Sequence, residues 1–73
     1  MRTLREWRAA RLLSSKALAE RAGVSNKTVV DLEHRRHLPT FRTMGRISAA
    51  LGVEPGEVEE FAAAIEKRGQ GAR

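Results

Sequence analysis

Three residues, Gly23-Val24-Ser25, separate two stretches with helical signals, and this short join constrains the fold more than any other feature. Two helices linked so tightly cannot lie antiparallel; they must cross steeply, as in a helix-turn-helix. The residue types suit such a corner. Gly23 permits the positive φ at which the first helix stops, and Ser25 caps the second. Ala19 is small where the helices approach, while Leu18, Val24, Val29 and Leu32 supply a shared apolar face. Taken alone, the segment is also compatible with an ordinary helical corner in a small bundle.

The remaining cap and stop signals predict an all-α fold of five short helices. Thr3 and Glu6 form a T-x-x-E capping box for helix 1, whose Leu4, Trp7 and Arg8 share one face. Helix 2 starts after Ser14 or Ser15 and runs to Ala22; helix 3 spans Asn26 to about His34. Thr40 caps helix 4, which ends at Leu51-Gly52. Helix 5 opens near Pro55 and fades at Lys67, with Val58, Phe61, Ala62 and Ile65 facing inward and Trp7 filling core beside Leu4. Residues 1–68 are thus expected to form one domain, and residues 69–73 a flexible C-terminal tail. The initial Met suggests a natural N-terminus without a leader, and no apolar run nears the roughly 20 residues of a membrane span. The expectation is a soluble, cytoplasmic protein with no membrane partner.

Charge is unevenly distributed. Residues 1–46 carry eleven basic and four acidic side chains, net +7, whereas residues 47–73 carry three and five, net −2. Arg outnumbers Lys eleven to three, and a guanidinium suits bidentate contact with phosphate and guanine. A basic front of this kind points to a polyanion.

Several motifs occur in order: Leu13-Ser14-x-x-x-Leu18-Ala19, Ala22-Gly23-Val24-Ser25, Thr28-Val29-x-x-Leu32-Glu33, Pro39-Thr40 and Ala50-Leu51-Gly52-Val53. As a set they resemble the phage lambda repressor-like, Cro-like helix-turn-helix family of the xenobiotic response element (XRE) type, over about residues 3–65. The resemblance implies a compact lambda repressor-like DNA-binding domain with its helix-turn-helix at helices 2 and 3. It implies a sequence-specific transcriptional regulator of double-stranded DNA, a homodimeric repressor on a palindromic operator. An alternative is an antitoxin-like subunit that binds a toxin protein through the helix 5 face and its own operator through helix 3. The resemblance also implies an ion pair between Arg8 and Glu33 that orients helix 3, and a dimer interface using Val53, Val58 and Phe61, extending to Ala63 and Ala64. Three positions depart from the family. Ser15 stands where Gln is usual, Arg35 where Gly is common, and Glu54 where Ser is usual. Arg35 therefore predicts either a longer helix 3 or a strained loop.

At 100° per residue, Val29 and Leu32 of helix 3 point inward, while Lys27, Val30, Asp31 and His34 point outward. Mapped onto the family, Asn26, Lys27 and Asp31 read base edges in the major groove, with Thr28 near the backbone. Val30 suits a thymine methyl. Asp31 has two readings. It can accept from cytosine N4, or it can be held locally by Lys27 at i−4 and Arg35 at i+4, and the sequence slightly favours readout. Ser15 and Lys16 at the helix 2 N-terminus, with Thr28, Arg36, His37 and Arg42, are expected to contact phosphates.

Other chemistry finds no support in the sequence. No nucleophile–base pair, phosphate-cradling Gly loop or metal-ligand set is legible, and there is no cysteine. His34 and His37 lack a third ligand. No enzyme activity, catalytic residue, cofactor or metal is expected.

Overall fold

The computed structural model describes residues 1–71. Among these the helices are α1 (Leu4–Ala10), α2 (Ser15–Ala22), α3 (Asn26–Glu33), α4 (Phe41–Leu51) and α5 (Glu59–Gly71), with a 3-10 turn at Pro55–Glu57 before α5. The first four begin where a hydroxyl can take an orphan amide. Thr3 Oγ1 accepts from the Glu6 N–H at 3.1 Å, Ser14 Oγ from Ala17 at 3.0 Å, Ser25 Oγ from Thr28 at 3.1 Å, and Thr40 Oγ1 from Thr43 at 3.2 Å. The Glu6 carboxylate completes the first box by accepting from the Thr3 N–H at 2.8 Å, and these bonds hold its carboxyl below the usual carboxylate range.

The same four helices end alike, each with a left-handed residue and two amides turned back to its last carbonyls. After α2, Gly23 N–H donates to the Glu20 carbonyl and Val24 N–H to that of Ala19, with Gly23 at φ 72°. Gly52 plays this part after α4 at φ 74°. After α1 and α3 the left-handed residues are Leu12 and Arg35, at φ 56° and 54°. Each pays the Cβ penalty of roughly 1–2 kcal/mol that glycine avoids. Of the two outcomes that Arg35 allows, α3 therefore stops and the loop takes the strain.

Helix 5 departs from expectation at both ends. Pro55 opens a 3-10 turn rather than the helix, and Val58 stays extended at φ −99° and ψ 122°, bridging Arg2. The Glu59 N–H donates to the Arg2 carbonyl at 2.9 Å, which seats the N-terminal strand of chain against the start of α5. Beyond Lys67, α5 continues to Gly71, so residues 69–71 of the expected tail are helical; Ala72 and Arg73 lie outside the described residues.

α2 packs on α3 and α4, and α5 closes the remaining side. Leu4, Leu18, Val29, Ile47, Val58 and Phe61 are wholly buried at the centre. Ala64 is buried in α5 while Ile65, expected inside, is 37% exposed. Trp7 lies at the edge, half-buried, with its indole N–H on the Glu57 carbonyl at 2.8 Å and the Arg2 and Arg11 guanidiniums over its ring. Buried Glu60 reaches across the domain and accepts the first amide of α1, Leu4 N–H, at 2.8 Å. Its charge meets the positive end of that helix dipole.

Candidate nucleic-acid interface

The geometry of α3 follows from its two fastenings. On the inner side, Val29 and Leu32 are buried against α2 and the core. On the flank, Arg8 and Glu33 form a two-bond pair, Nε to Oε2 at 2.6 Å and NH2 to Oε1 at 3.2 Å. Arg8 NH1 also donates to the Leu13 carbonyl at 3.0 Å, so one guanidinium joins α1, the loop before α2 and the end of α3. These side chains are 18% and 10% exposed, which favours a fully hydrogen-bonded charge pair. The bond to Glu33 raises the Arg8 pKa further above its ordinary value.

The outer side of α3 carries exposed Asn26 and Lys27, with Thr28 and Val30 half-buried. Thr28 Oγ1 lies 2.8 Å from Ser25 Oγ and so belongs to the N-terminal cap. Ser15 is half-buried at the start of α2 beside exposed Lys16, where the first amides have no partner within the helix. Arg36, His37 and Arg42 are exposed in the loop after α3 and in the first turn of α4. Arg46, not singled out in the sequence, donates to the Gly23 carbonyl at 3.4 Å and adds a cation beside the helix-turn-helix corner. Its i+4 spacing from Arg42 on α4 was the signal that could have found it.

Asp31 corrects the sequence reading. It does not point freely outward: the residue is 3% exposed. Its Oδ2 accepts from Lys27 Nζ at 2.7 Å and its Oδ1 from Arg36 NH1 at 2.9 Å. The Asp31 carbonyl accepts from the Arg36 N–H as well, at 2.9 Å. Lys27 was foreseen as a local partner; Arg36 replaces Arg35, which turns away to pair with Glu59 at 2.5 Å. Hydrogen bonds from Lys27 and then Arg36 hold the Asp31 carboxyl below its ordinary value of 3.8. Its folded-state pKa thus lies under the unfolded one, so this contribution to stability is complete above that value and is lost on acidification below it.

Among the expected dimer residues, Val58, Phe61 and Ala64 are also corrected. Val58 and Phe61 are wholly buried in the chain's own core and Ala64 is 2% exposed, while Val53 is half-buried and Ala63 exposed. Exposed apolar side chains near α5 and the start of α4 are instead Leu38, Phe41 and Ile65, at 41%, 60% and 37% exposure; Met1 and Leu12 are exposed as well. Arg68 gathers Leu38 and Phe41, donating to the Leu38 carbonyl at 3.3 Å and to that of Pro39 at 2.6 Å with its guanidinium 6.0 Å from the centre of the Phe41 ring.

Comparison with known proteins agrees with this architecture. A helix-turn-helix family model matches residues 4–58. The chain is 46% identical over 55 residues to a protein of Methanothermobacter thermautotrophicus named as an uncharacterized HTH-type transcriptional regulator, across 74% of this chain and 80% of that one. No solved structure matches. The motifs in order, the capped α2–turn–α3 corner and these matches lead to one conclusion: the chain belongs to the lambda repressor-like, XRE-type helix-turn-helix family.

Proposed function

We propose that the protein is a sequence-specific regulator of transcription that inserts α3 into the major groove of double-stranded DNA. The carrying observation is the two-sidedness of α3. Its inner residues are locked in the core and by Glu33, while Asn26 and Lys27 stand exposed on the N-terminal turns that reach base edges in such motifs. In this reading Lys27 suits guanine, Asn26 adenine and Val30 a thymine methyl. Lys16, Arg36 and Arg42 bind phosphates as cations, with Ser15, Thr28 and His37 beside them as hydrogen-bond donors. No helix among the described residues is long and apolar enough to cross a membrane.

The reading extends to a homodimer that represses by occluding a palindromic site, because one short helix spans too few base pairs for selectivity in a genome. The exposed Leu38, Phe41 and Ile65 support the second copy docking there in place of Val58 and Phe61. An antitoxin-like role draws on the adjoining groove of about 180 Å³ lined by Leu32, Leu38, Pro39, Ala63 and Ala64. Co-purification of a second, different chain separates it from the dimer.

Salt titration tests the DNA reading. Three phosphate-binding cations per protomer, six per dimer, give a log affinity against log salt slope of about −5. A flat slope between low and moderate salt contradicts DNA as the partner.

A further inference from the structure

We propose that Asp31 is a positioning residue for DNA selectivity: it touches no base, and it holds Lys27 and Arg36 as one coupled unit on the DNA-facing side of α3. This rests on the DNA-binding reading above. A carboxylate so nearly buried on a basic surface requires compensation, and here both oxygens are taken by different cations. The cations themselves remain presented to solvent, with the Lys27 side chain 83% exposed and that of Arg36 60%. One buried negative charge therefore anchors two exposed positive ones, one on the reading helix and one in the loop that follows it.

Backbone geometry builds the clamp. Left-handed Arg35 reverses the chain, so that Arg36 bonds Asp31 through both its amide and its guanidinium. A free lysine explores many rotamers and adapts to several bases; a tethered one is restricted before DNA arrives, which favours the bases that match the restricted geometry. The carboxylate also lowers the net positive charge felt by any phosphate backbone, which weakens indiscriminate binding.

The test compares wild type, Asp31→Asn, Lys27→Ala and the double variant, each checked for folding by Trp7 fluorescence. Affinity is measured for the duplex that wild type selects from a random pool and for an unrelated duplex, at one salt concentration. The expected result is that Asp31→Asn binds the unrelated duplex more tightly and loses about tenfold in discrimination. In the Lys27→Ala background, Asp31→Asn changes discrimination little, because its effect runs through Lys27. Additive losses, confined to one base pair, mean that Asp31 reads a base itself and overturn the proposal. Unchanged discrimination in Asp31→Asn overturns it too, while leaving the DNA reading intact. Absence of selective binding by wild type overturns both. Nitrogen relaxation at Lys27 Nζ in the free protein supplies a readout without DNA: the ammonium gains mobility in Asp31→Asn, and equal mobility in the two proteins contradicts the clamp. Should Asp31→Asn fail to fold, Arg36→Ala releases the other arm; discrimination equal to wild type then overturns the coupling.

Discussion

Phe61→Ala is expected to destabilise the single chain by about 3–5 kcal/mol, the range for emptying a core aromatic site. Phe61 is 0% exposed and packs in the cluster with Leu4, Ile47 and Val58. Small domains hold only about 5–15 kcal/mol in total, so the loss removes a large share of the margin. Urea denaturation followed by Trp7 fluorescence measures it, since the indole sits on the Glu57 carbonyl beside α5. Ile65→Ala, one helical turn further on and partly exposed, is the control, with an expected loss under about 1 kcal/mol. If Phe61→Ala keeps wild-type stability but dissociates a dimer, Phe61 lies at an interface and not in the core.

Glu33→Ala is expected to cost about 3 kcal/mol. The substitution leaves the Arg8 guanidinium partly buried with only the Leu13 carbonyl for company. It also releases the flank that orients α3, so DNA selectivity falls with stability. Replacing both partners with apolar residues of similar size, Arg8→Met with Glu33→Leu, recovers most of the stability because no orphan charge remains. The double variant tells the two effects apart: stability returns while the orientation of α3 is set by packing alone. If Glu33→Ala loses less than about 0.5 kcal/mol, the pair behaves as an exposed surface bridge and does not fasten the helix.

Local chemistry made much of the fold legible. Thr3, Ser14, Ser25 and Thr40 announce helix starts because a hydroxyl before an apolar period has a defined use, and Gly23 and Gly52 announce stops. What escaped was whatever depends on the chain returning from elsewhere. Asp31 lies on the outward side of a helical wheel, but a wheel cannot show that α3 ends at Glu33 and that the left-handed turn at Arg35 brings Arg36 back over the carboxylate. The i+4 rule pointed to Arg35, and it holds only if the helix continues that far. Glu60 stands in the acidic first turn of α5, a place its own helix dipole explains, yet its carboxylate serves the start of α1, 56 residues away in sequence. Val58 and Phe61 were assigned to an interface by resemblance, while their periodicity already placed them inward. In that conflict the core won, since an aromatic side chain this large supplies much of what so small a domain can bury.

Selection of bound sequences from random duplexes, run in parallel with wild type and Lys27→Ala, tests the central claim most directly. α3 reading the major groove predicts one enriched motif for wild type. The Lys27 substitution is expected to weaken preference at a guanine-containing position by about 1–3 kcal/mol while the rest of the motif persists. No enriched motif for wild type, or an identical motif with unchanged affinity for Lys27→Ala, contradicts it.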